Sequence, residues 1–226
     1  AHAYLGATSE QASRYQFASA IKNADRGLEI GGAPQLMFDL ACARGEALTE
    51  LGEIENAVSS FDRALTEGGK DANPYRAHIG IASCMRVLDR YQDALQALDA
   101  AEAAAGQGAP ASQLAQLWSM RGNIYFPLGD IDACLTAQQK SLHYAQGAKS
   151  ASSEVRALGG LADAYYQRGQ MITAFEYYDR CVTLAREQGF KRIETANLAM
   201  RGLTKFYSIE FQDLFDDCRQ AIDICD

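Results

Sequence analysis

Leu158–Ala185, LGGLADAYYQRGQMITAFEYYDRCVTLA, reads as two amphipathic helices joined by a tight turn at Arg168-Gly169-Gln170. Apolar residues recur at helical rather than strand spacing on both sides of the turn. Small residues, Ala162 on the first helix and Ala174 and Cys181 on the second, stand where the helices must touch. Leu158, Leu161, Tyr165, Phe175, Tyr178 and Leu184 fill the space around them. A lone pair of this kind cannot bury its apolar face, so copies are expected beside it.

The copies are present. Counted on the small residue early in each second helix, Ala20, Ala57, Ala94, Cys134, Ala174 and Leu214 fall at steps of 37, 37, 40, 40 and 40 residues. Twelve positions before this residue stand Gly45, Ala82, Gly122, Ala162 and Gly202, read as points where neighbouring first helices approach closely. Five positions before it stand Gly52, Gly129 and Gly169, suited to a helix C-terminus that needs positive φ. Asp25-Arg26-Gly27-Leu28 keeps register with Asp62-Arg63-Ala64-Leu65.

Trp118, Gly122, Tyr125, Gly129, Cys134 and Ser141 resemble the tetratricopeptide repeat (TPR), with Arg121 where Leu is usual and Gln138 where Phe is usual. Leu158, Leu161-Ala162, Tyr165, Gly169, Ala174, Tyr178 and Cys181 match next best. The 40-residue step looks like the extended repeats of bacterial signalling proteins and kinesin light chains. The fold expected is therefore all-α, a right-handed α-solenoid of about six helix-turn-helix units. The units fall at about 1–31, 32–70, 71–108, 109–149, 150–189 and 190–226, read as one solenoid domain.

Within the units, helix pairs are expected at Ala1–Gln11 with Ser13–Ile30, Gln35–Glu50 with Glu53–Glu67, and Ala111–Leu128 with Asp130–Ala145. Asn73-Pro74 reads as a cap with proline at the first helical position, and Ser150–Ser153 as the cap of the fifth unit. Pro127 is read in the last turn of its helix, ending it before Gly129. The chain has no initiator Met, and Asp226 falls inside a second helix without a visible cap, which suggests a piece of a longer polypeptide.

A net charge of −8 argues against sequence-independent binding to nucleic acid or anionic membrane, both of which need a basic face. No apolar run of membrane-spanning length and no signal-peptide pattern is present. The six cysteines show no C-x-x-C pair and fall mostly on apolar faces, which fits reduced thiols and a cytoplasmic protein. His2, His78 and His143 lie in different units, so no zinc spacing exists. No phosphate loop occurs, and the carboxylate pairs Asp216-Asp217 and Glu53/Glu55 read as solvated or helix-capping groups. Neither catalysis nor a cofactor is expected.

The partner expected is a protein or peptide, or another domain of the same polypeptide. In the TPR resemblance the first helices line a concave groove. Its register gives Arg76 and Arg86, then Gln116, Asn123 and Phe126, then Arg156, Asp163, Tyr166 and Gln167. Arg76, Arg86, Asn123 and Arg156 could receive a carboxylate. The carboxylate clamp of chaperone-binding repeats matches only at Asn123, since Ser119 stands where its lysine would be. A solvated inner wall accounts for the same residues. Phe206, Tyr207, Phe211 and Phe215 form a candidate self-association cluster, which allows a homodimer.

A narrower resemblance rests on Arg121-Gly-Asn-Ile-Tyr-Phe-Pro-Leu-Gly129-Asp130, Arg156-Ala-Leu-Gly-Gly-Leu-Ala-Asp163 and Gly189-Phe-Lys-Arg-Ile-Glu194. These runs look like the C-terminal TPR region of bacterial adenylate/guanylate cyclases with an AAA-type ATPase domain. The resemblance implies a regulatory region whose cyclase chemistry lies elsewhere. The alternatives are a stand-alone adaptor that binds a peptide in its groove, and an enzyme with an unrecognised site.

Overall fold

A computed structural model describes residues 1–207 and 211–225, leaving aside the side chains of 211–214 and 225. The described residues hold twelve α-helices. They are α1 His2–Ser13, α2 Phe17–Ile30, α3 Pro34–Glu50, α4 Ile54–Glu67, α5 Tyr75–Val87, α6 Tyr91–Ala105, α7 Ala111–Tyr125, α8 Ile131–Gly147, α9 Ala151–Gln167, α10 Met171–Glu187, α11 Lys191–Tyr207 and α12 Phe211–Cys225. The all-α repeat class expected from the sequence is the one observed. The helices group into two compact units, Ala1–Gly108 and Ala109–Asp226.

One kind of turn joins the helices of each of the first five pairs. The residue five positions before the small ruler residue has positive φ whether or not it is glycine: Tyr15 58°, Gly52 79°, Asp89 56°, Gly129 75° and Gly169 79°. The following N–H closes a bond to the carbonyl five residues back, as in Gln16 to Gln11 (2.9 Å), Arg90 to Met85 (2.9 Å) and Gln170 to Tyr165 (3.0 Å). This is the Schellman closure, which satisfies carbonyls that a helix end leaves open.

Some boundaries differ from the sequence reading. The first turn lies at 14–16 rather than near 12, because Tyr15 supplies its left-handed residue. The α7 helix ends at Tyr125, so Pro127 lies in the turn beyond it and bends no helix. Pro74 immediately precedes α5, and the Asn73 side chain accepts the Tyr75 N–H at 2.9 Å.

Within the first unit α1 packs on α3 and α3 on α5; within the second α7 packs on α9 and α9 on α11. Among the described residues the second helices of successive pairs make no equivalent approach, so first helices form the inner layer of each unit. The core of the first unit is built on Phe38, Leu40, Ala57, Phe61 and Ala64. The second unit holds Leu158, Leu161, Ala162, Tyr178 and Cys181, each 2% exposed or less.

The small residues in the first helices do a different job from the one expected. A Cβ added at Gly45 would lie 2.8 Å from the Phe61 ring, and one at Gly80 would lie 2.3 Å from it. Gln138 fills the matching slot between Gly122 and Gly160, where a Cβ added at either glycine would lie 2.4 Å from its amide nitrogen. The small residue thus makes room for the large side chain four positions after Ala57 or Cys134 in the second helix, which wedges between two consecutive first helices. The driving force is burial of that side chain, worth about 2 kcal/mol for an aromatic ring.

Candidate functional site

The first helices carry polar ladders seven residues apart on their outward faces. On α7 the ladder holds Gln116 and Asn123, and on α9 it holds Arg156, Asp163 and, a turn on, Gln167. Gln116, Asn123, Arg156 and Gln167 are exposed. Asn123 is also tied inward, its Oδ1 accepting from Gln138 Nε2 at 3.1 Å. Asp163 is half-buried and accepts the Tyr178 hydroxyl at 2.6 Å. Burial raises its carboxyl above the ordinary value, and the Tyr178 hydrogen bond partly opposes that shift.

Other expected members are differently employed. Phe126 packs on Cys134, Leu135, Leu161 and Ala164, so it belongs to the core of the second unit rather than to a free surface. Tyr166 meets Tyr207 edge-on with ring centroids 6.2 Å apart. This joins the α9 ladder to the aromatic cluster, of which Phe206, Tyr207 and Phe215 are exposed. The Phe211 side chain lies outside the described residues.

In the first unit Arg86 is exposed in the last turn of α5. Arg76 is not available to a ligand carboxylate. Its Nε donates to Glu46 Oε1 and its Nη2 to Glu46 Oε2, both at 2.7 Å, with Asp39 3.8 Å from Nη1. The Glu46 hydrogen bonds hold the guanidinium above its ordinary range. A planar fork and a carboxylate are matched bidentately here, so this cation is already neutralised. Beside the pair lies a cavity of about 290 Å³, lined by α1, Phe17, α3 and Arg76.

Three features were not anticipated from the sequence. Gln138 is 1% exposed, and its carbonyl oxygen has no hydrogen-bond partner. The Lys140 ammonium sits 3.8 Å from the centre of the Trp118 ring. Arg44 donates to Asp25 at 2.6 Å and Arg201 to Asp179 at 2.8 Å, the same register pair joining consecutive units at both places. Asp217, 5% exposed, takes the remaining fork of Arg201. Gly122 stands twelve positions before Cys134 and Gly160 fourteen before Ala174, the offsets that Gly45 and Gly80 also keep, and that pairing could have exposed the Gln138 slot. No local spacing marks the others.

Cys42, Cys84, Cys134 and Cys181 are buried free thiols and Cys218 is half-buried. Among the described residues no three His, Cys, Asp or Glu side chains are arranged to hold a metal ion. No helix among them is long and apolar enough to cross a membrane.

Two family models for the tetratricopeptide repeat match in succession, over residues 34–118 and 113–197. This chain belongs to the tetratricopeptide-repeat proteins. Similar solved structures include the Cut9–Hcn1 hetero-tetramer of the APC/C, at 13% identity and a TM-score of 0.80, covering 98% of this chain and 39% of that one. A Rap protein complexed with Competence and Sporulation Factor matches at 11% identity and a TM-score of 0.76, covering 90% and 57%. MamA from Desulfovibrio magneticus RS-1 matches at 21% and 0.60, covering 83% and 96%. The TPR chain thus spans 39% of the first and 57% of the second of these. At these identities the likeness is one of fold. No curated protein matches the chain.

Proposed function

We propose that this TPR chain is a non-catalytic protein-interaction domain whose first-helix faces bind a partner protein or peptide. One observation bears most of the weight. Exposed polar side chains, Gln116 and Asn123 on α7 and Arg156 and Gln167 on α9, recur along the inner-layer helices over a seam of buried Ala and Gly. Such a ladder offers directional contacts at the spacing of an extended chain. The Rap structure, solved with Competence and Sporulation Factor, and the Cut9–Hcn1 assembly support a protein partner.

Selection from a random peptide display library on the whole chain tests the proposal. The selected peptides are expected to bind Arg156→Glu about tenfold more weakly, the loss expected from one charge-assisted contact. Circular dichroism should stay unchanged. Full binding by the variant would remove the α9 face from the site.

The runs at 121–130, 156–163 and 189–194 support a narrower reading, in which the domain is the regulatory region of a larger bacterial signalling protein in the cytoplasm, of the adenylate/guanylate cyclase type. All six units would then act as one interaction domain. A stand-alone adaptor would use the same face. Exposure of Phe206, Tyr207 and Phe215, at 45%, 55% and 62%, favours self-association through the α11–α12 end as the second reading.

A further inference from the structure

The cavity in Ala1–Gly108 has a composition that names its occupant. Its most buried lining is Thr8 of α1 with Ala43 and Ala47 of α3, small side chains that leave room where larger ones would project, and Phe17 forms a wall. Glu46 and Glu50, one helical turn apart, stand at its rim, and Arg76 is its one lining cation. Both carboxylate oxygens of Glu46 are taken by Arg76. Glu50 is exposed and forms no ion pair with any described residue. With Arg76 neutralised by Glu46 and faced by Asp39, the balance left at the mouth is negative.

An anionic group entering this space would meet Glu50 and find no unspent cation. A cationic group would complete the pair. The volume, about 290 Å³, lies at the lower limit of small-molecule pockets and holds one extended side chain rather than a folded surface. A floor of small side chains and an aromatic wall suit the methylene stem of a long basic residue, whose charged head stays at the wet rim. We propose that this cavity receives one lysine or arginine side chain of the partner, with Glu50 accepting from its cationic head. The inference rests on the reading that the first helices bind a partner chain, and it assigns that partner a basic anchor residue.

The test uses peptides selected on the full chain at physiological ionic strength. Selected peptides are expected to share a lysine or arginine at one position, whose replacement by neutral norleucine or citrulline weakens binding about tenfold. Glu50→Gln should cause a similar loss. Glu187→Gln removes the same charge from an exposed site on α10 and should leave binding unchanged. Ser9→Lys, which places a basic side chain of the protein's own at the cavity, should weaken binding without lowering the melting temperature. Peptides that need no basic residue, or equal binding by Glu50→Gln and Glu187→Gln, would overturn the inference while leaving the interaction domain standing. A library that yields no binding peptide overturns both.

Discussion

Asp163 shows how one residue can be part of a surface and of the core at once. Its carboxylate is half-buried on α9 and holds the hydroxyl of Tyr178, a side chain that is fully buried. Burial raises the carboxyl above 3.8, and it also pushes the Tyr178 hydroxyl well above the ordinary tyrosine range. The folded chain therefore binds the Asp163 proton more tightly than the unfolded chain does. Stability from this group is full below the unfolded value near 3.8 and falls as pH rises through the folded value. Asp163→Asn keeps an acceptor for Tyr178 and cannot ionise. We expect it to flatten the fall in stability that sets in above the unfolded value and to leave the neutral protein more stable than the parent, read from urea unfolding at each pH. A variant profile parallel to that of the parent would show that Asp163 is not the group responsible.

The slot between consecutive first helices governs packing at the scale of the element. Phe61 is 1% exposed, with Gly45 on one side and Gly80 on the other. Its ring cannot move away from a new methyl at Gly80 without striking the backbone at Gly45. Gly80→Ala gains about 1 kcal/mol of helix propensity. Overpacking of a filled core costs about 1–3 kcal/mol. With the ring confined on both faces the clash outweighs the gain, and a net loss of about 1–2 kcal/mol is expected in thermal and urea unfolding. Phe61→Leu in the same chain should relieve part of it, a coupling that a double-mutant cycle measures. A stabilised Gly80→Ala protein would refute the wedge.

Each compact unit has its own buried thiols at the scale of the whole molecule. Cys42 and Cys84 lie in Ala1–Gly108, and Cys134 and Cys181 in Ala109–Asp226. Burial pushes the Cys42 and Cys181 thiols up to about 12 and that of Cys134 to about 11, and it raises Cys84 too. A thiol held protonated and covered is a poor nucleophile. Disulfide-exchange labelling of the native protein should therefore modify half-buried Cys218 first and reach these four only on unfolding. Mass spectrometry of each labelled peptide across a denaturant series would follow the opening of each unit. Native-state modification of Cys42 or Cys181 at the rate of Cys218 would contradict the burial described.

The sequence by itself determined the repeat, its steps of 37 and 40 residues and nearly every helix pair, because helical periodicity and turn chemistry are local. Residue type hides two of the turns: Tyr15, which the sequence reading puts inside a helix, and Asp89 take the left-handed conformation because the Schellman closure demands it there. Only tertiary structure decided which groups were left for a ligand. Glu46 and Arg76 are thirty residues apart, and their pairing follows from the approach of α3 to α5. Phe126 went to the core and Gln138 into a slot for the same reason, since a side chain's neighbours in a repeat stack come from other helices. Spacing along one helix shows which face a residue occupies, but the partner across the interface decides whether its charge is already spent.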